Sequence, residues 1–160
     1  MGVTDMEDVT DALLEASKAL VGIALRTLPE RVTLSQFRTL ALLESAGGMR
    51  SSDLADALEV SPSTATRMCD RLVRAGLVDR VTSEDDRRQV RLTLTPTGAK
   101  LVRDGLAGRR RALSRLVGQI ADEDRMAFVR GLRVFEGAGR ADRDPAWAHG
   151  WPDGSRKATT

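Results

Sequence analysis

Between Ser61 and Ala75 the chain reads SPSTATRMCDRLVRA, and at the 100° per residue of a helix this stretch splits into two faces. Ala65, Met68, Cys69, Leu72, Val73 and Ala75 share one side; Ser63, Arg67, Asp70 and Arg74 project from the other, flanked by Thr64, Thr66 and Arg71. Hydroxyls and guanidinium groups donate hydrogen bonds to phosphate oxygens, and a guanidinium also pairs bidentately with the O6/N7 edge of guanine. A merely solvated helix face has a similar composition. A second basic cluster bears on the choice. Arg87 and Arg88 lie in the polar turn TSEDDRRQ, between residues 77–81 and 90–94, whose alternation of apolar and polar positions is that of a hairpin and whose strands add Arg80 and Arg91. A thin basic finger beside a basic helix suits phosphates or a narrow minor groove. Asp85 and Asp86 either hold those arginines in position or are a charged loop, and Asp70 is a further candidate partner for Arg88.

The elements that must carry these residues are legible from caps and periodicity. Ser61 is a good N-cap, Pro62 suits the first helical position and Gly76 suits the C-terminal stop. A short helix precedes it, opening at Ser51 or Ser52, turning Leu54, Ala55 and Leu58 inward and stopping near Glu59 and Val60. Two short helices joined by a tight turn and followed at once by a hairpin make a winged helix-turn-helix. Upstream, Thr33 and Gln36 have the spacing of a capping box for a helix that ends at Gly47 and Gly48. A first helix over about 5–28 carries Val9, Ala12, Leu13, Ala16, Leu20 and Ile23 and is stopped by Pro29. Thr95 and Pro96 open a long helix bearing Val102, Leu106, Leu113, Leu116, Val117 and Ile120. A last helix from about Asp122 carries Met126, Val129, Leu132 and Phe135 and is expected to end at Gly137 and Gly139.

The expected fold is therefore mainly α with a small β-hairpin wing. One domain spans residues 1–140, with a DNA-binding lobe over about 33–96 and dimerisation helices over about 5–28 and 96–137; residues 141–160, rich in Gly, Pro and charge, read as a flexible tail. The first, fifth and sixth helices each carry an apolar stripe, more than a three-helix lobe can cover, so a symmetric partner is expected. Two-fold symmetry then requires an inverted-repeat site in double-stranded DNA with half-sites about one helical turn apart.

Composition narrows the function further. The 160 residues are 41% hydrophobic and 30% charged with a net charge of +2, an ordinary globular balance. One cysteine, Cys69, and one histidine, His149, leave no internal disulfide, cysteine-cluster metal site or multi-histidine site. With no phosphate-binding glycine loop and no nucleophile partnered by histidine, the chain reads as no enzyme, with no cofactor and no metal. No apolar run approaches the roughly 20 residues of a membrane helix. The acidic start MGVTDMEDVT lacks the basic flank of a secretory signal, and Met6 breaks the myristoylation pattern; the expected location is the cytoplasm. Lys18, Lys100 and Lys157 are the only lysines, a skew toward arginine that either phosphate and guanine contacts or codon bias explains. Aromatics at 3%, without tyrosine, argue against base stacking on single strands or RNA.

Four stretches, TLSQFRTLALLESAG, SPSTATRMCDRLVRAGLV, the Asp86-x-Arg88 turn followed by Leu94-Thr95, and LTPTG, give residues 33–98 a specific likeness: the chain resembles the MarR family of bacterial transcription regulators. The resemblance implies a homodimer with interlocked N- and C-terminal helices, two winged lobes reading a palindrome, and in many members a small-molecule pocket. It places Arg88 at the wing tip and Ser63, Thr64 and Arg67 at the major groove. The expected function is a repressor that binds a palindromic operator and is released by a small-molecule effector. The DNA-contacting set is Ser61, Ser63, Thr64, Thr66, Arg67, Arg71, Arg87 and Arg88, with Asp70 and Asp86 positioning the wing. The rival reading is an architectural or protein-docking winged module, which would bind random duplex nearly as well as any palindrome. Some MarR-like proteins sense oxidants through cysteine, but Cys69 lies on the apolar side of its helix without a second thiol and reads as core. Arg109, Arg110 and Arg111 read as an exposed helix face, Phe37 as core rather than pocket lining, and His149 between Trp147 and Trp151 as part of the tail.

Overall fold

The structure, a computed structural model, describes residues 5–82 and 90–141. In chain order these form α1 (Met6–Arg26), α2 (Leu34–Ala46), β1 (Met49–Arg50), α3 (Ser51–Leu58), α4 (Pro62–Arg74), β2 (Val78–Thr82), β3 (Val90–Leu94), α5 (Pro96–Val117) and α6 (Asp122–Ala141). This is the expected mainly helical winged helix-turn-helix.

The local chemistry that starts and stops the helices is the chemistry the sequence signals. At α2 the Thr33 hydroxyl accepts from the Gln36 amide at 3.3 Å while the Gln36 side chain accepts from the Thr33 amide at 2.8 Å, a complete capping box. Ser61 caps α4 and Thr95 caps α5, each followed by proline. After α4, Gly76 takes φ +68°, so that its amide reaches the Val73 carbonyl at 2.9 Å and the Leu77 amide reaches Leu72 at 3.0 Å. That left-handed closure turns the chain directly into the wing.

The sheet has the order β1-β3-β2, antiparallel throughout, with Val78 opposite Leu94, Arg80 opposite Leu92 and Met49 opposite Leu92 on the other edge. β1 is not anticipated by periodicity, because two residues are too few to show an alternation. It depends on Gly48 at φ +106°, where a Cβ would sit 2.8 Å from the Thr93 methyl and 3.0 Å from the Leu92 carbonyl oxygen.

The core lies between α2, α3, α4, the sheet and the first turns of α5, with Leu40, Leu43, Leu54, Leu72, Val78, Leu92 and Val102 fully buried. Phe37 belongs to it, as expected: its ring seats against Gly105 of α5, where a Cβ would come within 2.6 Å. Two expectations need correction. The last helix does not stop at Gly137 and Gly139 but runs through both to Ala141; an interior glycine costs about 1 kcal/mol in a helix without forbidding it, and neither residue has a positive φ. Nor are Arg109, Arg110 and Arg111 uniformly exposed, since Arg109 is half-buried and burial lowers its pKa.

Outside the lobe the apolar stripes are uncovered. Ile23 is the buried residue of α1, and every residue of α6 from 122 to 138 is exposed, Phe128, Val129, Leu132 and Phe135 included. Among the described residues no helix is long and apolar enough to cross a membrane.

Candidate nucleic-acid interface

α4 owes its orientation to its inner face. Ala65, Cys69 and Leu72 are buried in the core, and Met68 is half-buried with its sulfur against the Thr39 hydroxyl of α2 at 2.8 Å. Thr39 is itself fully buried, its single hydroxyl proton shared between that sulfur and the Ser35 carbonyl at 2.9 Å. With that face fixed, Ser63, Thr66, Arg67, Arg71 and Arg74 must point to solvent, and all five are exposed. Ala75, expected on the inner side, is exposed because it already lies at the C-cap.

The hydroxyls at the start of α4 form a connected cap. Ser61 Oγ accepts from the Thr64 amide at 3.3 Å and lies 2.9 Å from Thr64 Oγ1 and 3.1 Å from Ser63 Oγ. Thr66 donates back to the Pro62 carbonyl at 2.8 Å. Ser61 is thus foremost a helix cap, and Thr66 keeps acceptor capacity but has committed its proton. Arg67 and Arg71 border a cleft of about 360 Å³ between α4 and the start of α2, lined also by Thr33, Ser35, Gln36, Thr64 and Met68. The α2 residues are absent from the sequence-derived set. Their signal was the Thr33–Gln36 capping box, which marks an exposed helix start without saying that it faces α4.

The wing is tied to α4 by charge. Arg80 Nη2 of β2 donates to Asp70 Oδ1 of α4, so Asp70 engages the base of the wing through Arg80. Its alternative partner Arg88, along with Asp85, Asp86 and Arg87, lies outside the described residues. Arg91 donates to the Gly48 carbonyl at 2.7 Å, bracing β3 against β1. Arg80 and Arg91 therefore hold the wing together rather than extend a basic finger. Below the wing, Thr95 makes a double link: its hydroxyl donates to the Gly76 carbonyl at 2.7 Å and accepts from the Gly98 amide at 3.0 Å. Gly98 permits this approach because a Cβ there would collide with the Leu77 carbonyl. At α3, Arg50 grips Asp53 through two nitrogens at 3.0 and 3.1 Å, and the guanidinium hydrogen bond holds the Asp53 carboxyl below its ordinary pKa.

Cys69 is 1% exposed, and burial pushes its thiol pKa up against the opposing pull of Arg80. Both observations fit a core cysteine.

Comparison with known proteins agrees with this geometry. The family model described as "MarR family" matches residues 32–90. The chain is 36% identical over 93 residues to the HTH-type transcriptional repressor MdtR of Bacillus subtilis, an alignment covering 58% of this chain and 60% of that protein. It is similar in structure to RV1404 of Mycobacterium tuberculosis, with a TM-score of 0.81 and 39% identity over 87% of this chain and 97% of the other. It is also similar to Bordetella bronchiseptica BpsR, whose DNA binding is regulated by 6-hydroxynicotinic acid, with a TM-score of 0.57 and 26% identity over 84% of this chain and 96% of the other.

Proposed function

The chain belongs to the MarR family of winged helix-turn-helix transcriptional regulators, and from that membership we propose that it is a homodimeric repressor of a palindromic operator in double-stranded DNA. Arg67 reads a guanine edge in the major groove, helped by Ser63, Thr64 and Thr66. Arg71 neutralises a phosphate at the cleft that it shares with Thr33, Ser35 and Gln36. Ser61 fixes the helix start, Asp70 sets the angle of the wing through Arg80, and Arg87 and Arg88, positioned by Asp86, reach the backbone or minor groove from the wing tip. A second copy covers the apolar faces of α1, α5 and α6. The effector is proposed by analogy with BpsR; without tyrosine in the chain, its pocket is lined by aliphatic, Met, Phe and polar side chains.

The observation that carries this reading is the outer face of α4, where Arg67 and Arg71 are exposed on a helix whose start is capped and whose inner face is locked into the core. Arg67→Ala tests it directly. Losing a bidentate guanine contact removes about 1–3 kcal/mol of discrimination, roughly 5–150-fold in affinity. Titrated by fluorescence anisotropy, the variant should lose that much on a duplex selected for tight binding and much less on random duplex. Equal losses on both would instead favour an architectural module that ignores sequence.

A further inference from the structure

We propose that the second copy is held in register by charge, the acidic first half of α1 lying against the arginine-rich second half of the partner's α5, reciprocally across the two-fold axis. The proposal rests on the homodimer reading above. Asp5, Glu7, Asp8, Asp11 and Glu15 follow one another with no basic residue among them, whereas Arg109, Arg110, Arg111 and Arg115 occupy the stretch between Asp104 and Asp122 with no acid. Residues 5–21 are all exposed, as are Arg110, Arg111 and Arg115. Each charged stretch shares its helix with uncovered apolar side chains, Val9, Leu13 and Leu20 on α1, Leu116 and Val117 on α5.

The two stretches do not serve each other within one chain. α1 meets α5 at its C-terminal end, where Ile23 is buried and Thr27 faces Gly108. No described residue before Gly22 is covered, so the acidic half is not laid along the arginines of its own α5. From Glu15 to Thr27 the helix rises about 18 Å, more than two screening lengths of roughly 8 Å at physiological salt.

In an isologous interface, residue i meets j and j meets i. Pairing α1 with the partner's α1 through their first halves would bring five carboxylates against five, and pairing the second halves of α5 would oppose eight guanidinium groups. Of these three pairings, the crossed one brings opposite signs together at both ends. Rim pairs of this kind are individually weak and screened; they fix orientation and reject wrong partners, while the apolar faces supply adhesion.

The test uses the full chain in three forms: Asp8→Lys with Asp11→Lys and Glu15→Lys; Arg110→Glu with Arg111→Glu and Arg115→Glu; and all six together. Sedimentation measures the dimer dissociation constant, and native mass spectrometry the species formed on mixing. Each triple variant should dimerise at least roughly tenfold more weakly than the parent at low salt, with the deficit shrinking toward about 1 M salt. Mixing the two triple variants should yield the heterodimer over either homodimer, and the six-fold variant should recover self-association. The proposal is overturned if both triple variants dimerise like the parent, or if the six-fold variant recovers while the mixture forms no heterodimer, which would place the pairing within one chain. It is equally overturned if arginine reversal weakens DNA binding and leaves the dimer unchanged. A parent that sediments as a monomer at every concentration removes the homodimer reading itself.

Discussion

Two arginines one helical turn apart, Arg67 and Arg71, are assigned different jobs, and those jobs leave different signatures. A base contact discriminates between sequences, whereas a phosphate contact releases a counterion on any duplex. Arg71→Ala should therefore weaken binding to selected and random duplex about equally and reduce the slope of log affinity against log salt by about 1, read from anisotropy titrations at several salt concentrations; an unchanged slope takes Arg71 off the backbone. Cys69 has a converse signature, defined by what cannot reach it. Buried in the core with its thiol pKa raised by desolvation, it forms less thiolate than an exposed cysteine at any given pH, and alkylation must await an opening of α4. Its reaction with iodoacetamide should be at least about a hundredfold slower in the native protein than in denaturant, and a fast native reaction would remove it from the core. Residue faces were legible because burial follows the helical period: Ala65, Cys69 and Leu72 could be assigned inward from spacing alone. The partner of Asp70 could not, since whether Arg80 or Arg88 reaches it depends on how the hairpin emerges from α4, which no local pattern encodes.

The helix-turn-helix is closed by an unusual residue for the task. Glu59, the last position before the turn into α4, has φ +55°, and its amide and that of Val60 bond back to Asp56 and Ala55 at 3.1 Å each. Side chains other than glycine and asparagine hold this left-handed conformation at a cost of about 1–2 kcal/mol. Glu59→Gly should raise stability by up to about 1 kcal/mol, the gain offset in part by the freer unfolded chain; thermal denaturation followed by circular dichroism measures it, and a loss would show that the side chain offsets its own strain. The opposite is expected where α5 begins. Thr95→Val keeps the shape but removes the donor to Gly76 and the acceptor for Gly98, a loss of about 1–2 kcal/mol by the same measurement. Element starts were legible because caps are local chemistry. The second link of Thr95, to the end of α4, was not, because it joins residues 19 apart in sequence through the packing of the wing. β1 and the continuation of α6 past its glycines escaped for the same reason: short pairing and tolerated glycines are decided by neighbours rather than by propensity.

At the scale of the molecule, a small buried lobe carries long helices whose apolar faces it cannot cover. Cutting the chain after Ala141 should leave dimerisation and DNA binding unchanged by sedimentation and anisotropy, since among the described residues the uncovered apolar faces of α1, α5 and α6 are all retained; a monomeric product would assign residues 142–160 to the interface. A net charge of +2 over 160 residues gives a weak general attraction to DNA, so recognition rests on a few placed side chains rather than on bulk charge. The surplus of apolar stripes was legible in the sequence, while which faces the lobe leaves open, and so how two copies would cross in the proposed dimer, depends on packing that no local pattern encodes. Selection of bound sequences from a random duplex pool bears most directly on a two-fold regulator that reads DNA with α4. Enrichment of an inverted repeat, its half-sites about one helical turn apart, is the predicted result. A pool that stays random, or that converges on an asymmetric single site, would contradict it.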